Sequence, residues 1–302
     1  VPNTHCLPSG SLGSSEVPVC QVGSATITVQ TPAGGIGHGT IRGIVAICSG
    51  LSIVPQSFPI PITDGAATKF QTLATALTGD GWVVAMLPFP EDAVTSGLAF
   101  STSGNPAQYI QNDIVADTGH GSRMVAARLH WWDHVLQWIK LTYPAGFPVV
   151  CFGVSMGGWY TWNVAINRTS SVIAYGGHCG VTILSDVAAA ATGSGLVLPT
   201  GANWTAINTT GADVGSSALN GLTSTPGWIG WSTLDTVVGD TDLIAMKNAA
   251  ITAGCPITTL QDTTNGHGLW TTDIGPGGSG FTGTTIMDWF TATVDPLAPK
   301  TF

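Results

Sequence analysis

Charge is what this sequence has least of. Asp, Glu, Lys and Arg together make up 8% of its 302 residues, against about 25% in ordinary soluble domains. Only 8 residues are Lys or Arg, and they are scattered. That argues against a nucleic-acid partner, because binding phosphates needs clustered cations. Long apolar runs are missing too. None approaches the roughly 20 residues of a membrane-spanning helix. Cysteine is limited to 6 residues, with no C-x-x-C pair and no His/Cys spacing of a metal site. The expectation is a chain that uses neither a metal nor another cofactor.

What is present is apolar and small. Hydrophobic residues reach 44% and glycine alone numbers 40, so a sizeable core is available and the chain can build one large α/β domain. Solubility rests on Thr, Ser, Asn and Gly and on a net charge of −9. Cys6 and Cys20 flank a Pro/Gly/Ser-rich segment with little other means of ordering itself, and a disulfide is expected there. Cys179 and Cys255, both near expected strand ends, are candidates for a second bridge. Cys48 and Cys151 fall inside apolar runs and read as buried thiols. The first residue is Val1, and Asn167-Arg168-Thr169, Asn203-Trp204-Thr205 and Asn208-Thr209-Thr210 are glycosylation sequons. Together these features set the expectation of a processed, secreted protein.

Along the chain, residues 1–23 read as a loop-rich arm and residues 24–302 as a single domain. Ser24 to Gln30 alternates with the period of a half-exposed strand. Gly43 to Cys48 and Trp82 to Leu87 are continuous apolar runs, the pattern of parallel strands buried on both faces. Between them a helix is expected after an Asp64 cap, with Phe70, Leu73, Ala74 and Leu77 on one face and Gly79 as its stop. Ser122 to Tyr143 is the clearest helix, with a stripe of Val125, Leu129, Trp132, Leu136 and Ile139. Further strands are expected at 147–152, 171–175, 228–231 and 256–260, the last of the set, with helices up to Asn167, at 241–253 and at 284–294. Residues 180–226 turn rich in Ala, Gly, Ser, Thr and Asn and read as a lid-like insertion. Strands alternating with helices predict an α/β fold, a doubly wound and mostly parallel sheet covered on both faces.

One stretch carries chemistry. The apolar run ending at Phe152 leads into Gly153-Val154-Ser155-Met156-Gly157-Gly158, a G-x-S-x-G pattern between a strand and a helix. Glycines there let strand and helix approach closely, lifting the Ser155 hydroxyl above the carboxyl edge of the sheet. The Met156 N–H is aimed at the same space.

A serine needs a base. Of seven histidines, His5 lies in the arm, His38 precedes the first central strand, and His130 and His134 lie within the long helix. His120 begins that helix, whose start is expected on the opposite edge of the sheet from Ser155. His267, in a Gly-flanked loop after the 256–260 strand, is the candidate base. The base in turn needs an acid to hold its tautomer. Asp235, just beyond the 228–231 strand, is favoured over Asp240, while Asp242 suits the first turn of the next helix. Asp262 is too close in sequence to His267 to reach it comfortably.

The chain order Ser155, Asp235, His267 resembles that of the α/β-hydrolase superfamily, over roughly residues 40–295. The Ser155-Met156-Gly157-Gly158 turn is similar to that of cutinase-like and polyester-degrading hydrolases. The resemblance implies an oxyanion hole from the backbone N–H groups of Met156 and Leu51, with Gly50 permitting close approach. The loop Cys48-Ser49-Gly50-Leu51 lacks the His-Gly pair common at that site. The resemblance also places His178 where substrate-contacting residues occur. Trp231 and Trp270, near Asp235 and His267, are candidates for an apolar substrate wall, although packing competes for both. The expected activity is hydrolysis of a small or polymeric carboxylic ester through an acyl-enzyme. Amide cleavage and a non-catalytic binding module are the alternatives.

Overall fold

A computed structural model describes residues 19–22, 25–33, 41–48, 68–87, 121–180, 219, 221–236, 238–275 and 280–301. The Asp64 cap, Cys6, Gly50, Leu51, His120 and nearly all of the 180–226 insertion lie outside these residues.

Among the described residues nine strands form one sheet. They are β1 (Val19–Val22), β2 (Ala25–Gln30), β3 (Gly43–Cys48), β4 (Trp82–Leu87), β5 (Val149–Val154), β6 (Ala174–His178), β7 (Gly227–Ser232), β8 (Ile257–Asp262) and β9 (Phe281–Gly283). Their spatial order is β1-β2-β4-β3-β5-β6-β7-β8-β9. The six strands β4, β3, β5, β6, β7 and β8 are mutually parallel. The hairpin β1–β2 and the short β9 close the two edges in antiparallel fashion. The α-helices among the described residues are α1 (Thr68–Gly79), α2 (Gly121–Thr142), α3 (Met156–Asn167), α4 (Asp240–Thr252), α5 (Thr271–Ile274) and α6 (Ile286–Trp289). No helix among the described residues is long and apolar enough to cross a membrane.

The continuous apolar runs are buried because both faces of the sheet are covered. In β3, Ile44, Ala46 and Cys48 face the cluster beneath α2, where Trp132, Val135, Trp138 and Ile139 pack. Val45 and Ile47 face the opposite cluster with α1, through Leu73, Ala74 and Leu77. β4 and β5 divide their side chains the same way, with Phe152 on the α1 side and Cys151 on the α2 side. A third cluster joins α3, α4 and β7.

Several expectations shift. β1 lies within the segment expected to be a loop-rich arm, because Val19–Val22 pairs antiparallel with β2. The strand expected at 171–175 is β6, displaced to Ala174–His178, since Thr169–Ser171 forms a 3₁₀ turn first. β8 is not the last strand, as β9 follows it. The buried stripe of α2 is centred on Trp132, Val135 and Ile139, with Leu136 only half-buried. The end of α2 leads into the amino end of β5, so the helix runs against the strand. Its start at Gly121 therefore lies toward the same edge as Ser155, not the opposite one. Cys179 and Cys255 are free thiols, while Cys48 and Cys151 are buried with their sulfurs 3.9 Å apart. Cys179 follows β6 at the carboxyl edge whereas Cys255 precedes β8 at the amino edge. Parallel strands separate the two by the sheet's full width, well beyond the reach of a disulfide.

Candidate active site

β3 crosses to β4 on one side, and the chain returns to β5 on the other. The carboxyl ends of β3 and β5 thus flank a reversal of strand order, where open α/β sheets place their ligands. The turn after β5 carries Ser155 at φ 58° and ψ −123°, a conformation costly for a residue with a Cβ. Two glycines make it possible. A Cβ on Gly153 would run into the Gly157 carbonyl, and one on Gly158 would stand 2.6 Å from Gly180 Cα. The Ser155 N–H donates to the His178 carbonyl at 3.0 Å, and the Ser155 carbonyl accepts from Gly158 N–H at 2.9 Å. The strained turn is held from both sides.

Three loops meet over that serine. Ser155 Oγ lies 2.9 Å from His267 Nε2, and His267 Nδ1 lies 2.8 Å from Asp235 Oδ2. An ionised carboxylate only accepts hydrogen bonds, so Nδ1 carries the proton and Nε2 is left to accept from the serine hydroxyl. Asp235 is itself oriented, since its Oδ1 accepts from Val238 N–H at 2.8 Å. The rivals Asp240 and Asp242 both sit in the first turn of α4. The side chain of Asp235 is 2% exposed and that of His267 is 21% exposed. The relay is therefore dry at its acid end and open at its base.

Asp262 and Ser232, to which the sequence reading assigned no role, build this meeting point. Asp262, at the end of β8, accepts from Thr264 N–H at 2.7 Å, Thr264 Oγ at 2.8 Å, Asn265 N–H at 3.1 Å and Asn265 Nδ2 at 2.7 Å. Burial alone would raise its pKa, but these four donors outweigh it and hold the carboxyl below its usual range. The turn so formed launches the His267 loop. Ser232 Oγ donates to the Asn265 carbonyl and accepts from Leu234 N–H, tying the Asp235 loop to the His267 loop. Short polar side chains folding back on their own backbone are the detectable signal for such turns.

The other candidates divide. Met156 opens α3 directly after the serine, so its N–H is one of the helix's unpaired donors. The second expected donor, Leu51, and its neighbour Gly50 lie outside the described residues. His178 is not at the substrate surface. It is fully buried, stacks on Trp228 at 5.9 Å and places Nε2 3.5 Å from Asp273 Oδ2. Gly230 makes room for it, since a Cβ there would collide with the imidazole. Trp231 is not a cleft wall either. It is buried in the cluster under α4, with Lys247 Nζ 5.0 Å over its ring, because its position on β7 points it to that face. Trp270 is half-buried and braces the His267 loop by donating from Nε1 to the Gly266 carbonyl at 3.1 Å.

No family model matches the chain, and neither does any curated protein sequence. Solved structures do. A puromycin-hydrolyzing peptidase of Mycobacterium tuberculosis superposes with a TM-score of 0.56 at 17% identity, covering 87% of this chain and 36% of its own. An acylaminoacyl peptidase of Pyrococcus horikoshii gives 0.53 at 10% identity, covering 85% and 37%. A protein of Klebsiella pneumoniae assigned as a dienelactone hydrolase gives 0.51 at 12% identity, covering 87% and 86%. The chain spans about a third of the length of the two peptidases. The fold of this protein is the α/β-hydrolase fold.

Proposed function

We propose that this protein is a serine hydrolase that cleaves carboxylic esters and works outside the cell. The observation that carries the reading is the continuous relay from Ser155 Oγ through His267 to the buried Asp235, at 2.9 and 2.8 Å. His267 takes the serine proton as Oγ attacks the ester carbonyl, and the negative charge develops on the carbonyl oxygen. Met156 N–H is the first donor to that oxyanion, and Leu51 N–H is assigned as the second. His267 then protonates the departing alcohol, and water cleaves the acyl-enzyme by the same route. A single oxyanion donor contributes roughly 2.7–4 kcal/mol to the transition state.

Amide cleavage by the same relay is the second reading, and the two peptidases similar in fold favour it. Each is matched over only about a third of its length, whereas the dienelactone hydrolase is matched over 86%. The scarcity of charge supports a neutral or apolar acyl group. Secretion is inferred from composition and the glycosylation sequons.

The test is hydrolysis of a short and a long p-nitrophenyl ester by the wild type and by Ser155→Ala. Turnover lost in the alanine variant is the expected result, and the ratio between the esters sizes the acyl pocket. No turnover of either ester, alongside cleavage of an acylated amino-acid anilide, would move the assignment to an amidase.

A further inference from the structure

Cys179 lies against the relay without taking part in it. It follows β6 immediately, is 2% exposed and sits at φ 47°, in the left-handed region that side chains rarely adopt. Its Sγ, a carboxylate oxygen of Asp235 and a ring nitrogen of His267 all lie within 4.8 Å of one another. The thiol makes a long contact, 3.9 Å, to the carbonyl of Gly268 and lies beside the His178 ring. His178 is sealed beneath, its Nε2 3.5 Å from Asp273 Oδ2.

We propose that Cys179, Asp235 and His267 form a binding site for a borderline-soft divalent cation, Zn²⁺ being the type, and that occupancy switches the hydrolase off. Sulfur, carboxylate oxygen and imidazole nitrogen are the three donor types that such an ion takes in proteins. Donors sharing one tetrahedral ion stand roughly 3.4–3.6 Å apart at zinc–ligand lengths of about 2.0–2.3 Å, so shifts of about an ångström close this triangle on the metal. Water fills the fourth position. The half-exposed His267 gives the ion its way in, and the net charge of −9 favours cations near the surface.

Binding is a coordination step without electron transfer. The Cys179 S–H proton leaves to solvent as the sulfur–metal bond forms. If the ion takes His267 Nδ1, the proton there moves to Nε2, which then has no lone pair to offer, and the bond to Asp235 breaks. If it takes Nε2, the bond to Ser155 breaks. Either way the lone pair that would accept the serine proton is lost. The binding half of the inference stands on geometry alone, while the inhibitory half rests on His267 being the base.

The experiment separates these halves. Ser155→Ala protein, stripped with EDTA, is titrated calorimetrically with Zn²⁺, and with Cd²⁺ while the thiolate-to-metal ultraviolet absorption is followed. One equivalent binding with proton release, a thiolate band with Cd²⁺ and no binding of Mg²⁺ is the expected outcome. Cys179→Ser should weaken Zn²⁺ at least tenfold. His267→Gln, at a half-exposed position, should do the same and covers the case in which the buried serine variant fails to fold. Wild-type ester hydrolysis should be inhibited over the same ion concentrations and restored by EDTA. Absence of one-equivalent binding, unchanged affinity in both variants, or turnover indifferent to saturating Zn²⁺ overturns the proposal. Stoichiometric binding in a protein that hydrolyses no ester would support the cation site while removing the catalytic reading.

Discussion

The protein holds two histidine–aspartate pairs, and the fold uses them in opposite ways. His267 and Asp235 meet at 2.8 Å with the imidazole 21% exposed; His178 and Asp273 meet at 3.5 Å with both side chains wholly buried. The first pair has a second ring nitrogen aimed at a serine hydroxyl. The second has no such outlet. It joins the end of β6, whose His178 carbonyl holds Ser155, to α5, whose Asp273 accepts from Trp270 N–H at 2.7 Å. Identical chemistry thus yields a pair linked onward to a serine hydroxyl where one face is open and a brace where none is. Burial around the pair decides its role.

The largest separation should come from removing each histidine. His267→Ala is expected to lower kcat by about 10⁴-fold or more while leaving the thermal midpoint close to wild type, as its loop is half-exposed. His178→Ala should do the reverse, costing about 3–5 kcal/mol of stability by leaving a buried carboxylate unpaired, with far less loss of kcat per folded molecule. Chemical denaturation and initial rates on both variants decide it. A stable, inactive His178→Ala would show that the buried pair takes part in the chemistry.

The acids should sharpen the contrast with smaller effects. Asp235→Asn is expected to reduce kcat by about 10³–10⁴-fold through the wrong imidazole tautomer, with the fold intact. Asp273→Asn should instead cost about 1–3 kcal/mol, because Trp270 N–H and His178 lose a charged acceptor. Equal kinetic losses in the two variants would erase the distinction.

Titration offers a finer probe. Burial opposes a charged His178, but the Cys179 sulfur and the Asp273 carboxylate beside the ring outweigh it, and its pKa is held well above the ordinary value. A raised histidine pKa contributes stability that is fully present below the unfolded value, near 6.5, and is lost as pH rises through the folded one. The wild-type melting temperature should therefore fall from neutral into alkaline pH more steeply than that of His178→Gln. Parallel profiles would show that the buried imidazole is neutral in the fold.

The smallest effect concerns a buried carboxylate that has no histidine. Asp295 accepts from Trp82 Nε1 at 3.0 Å and lies 3.3 Å from Arg42. Burial first, and then the neighbouring Asp80, push its pKa up to about 7. Its contribution is fully present below about pH 4 and lost as pH rises toward 7. Asp295→Asn should flatten the melting profile across that window, with no change in turnover. An unaltered profile would mean that Arg42 keeps the carboxylate charged.

How much of this was legible depends on how local each feature is. The central strands β3, β4 and β5 were readable as continuous apolar runs, because a strand buried on both faces has no polar positions to spare. β6 was misplaced by three residues, since Ala174-Tyr175-Gly176-Gly177-His178 has little strand propensity. Phe152 packs across Gly176, where a Cβ would stand 2.8 Å from its ring. Trp231 and His178 looked like site residues from their place in sequence. Strand register turns Trp231 under α4, and the space left by Gly230 takes His178 into the interior.

The nucleophile turn could be identified from sequence alone, because Gly153, Ser155 and Gly158 satisfy a steric demand within a few residues. His267 and Asp235 were foreseeable as candidates, since chain order and strand ends place them on one edge. Only the tertiary structure decided which aspartate meets the imidazole, that Asp262 and Ser232 shape the loops, and that Cys179 completes a triangle with Asp235 and His267. Those are distances between loops following different parallel strands. They depend on how the strands stack side by side, a quantity that no local pattern encodes.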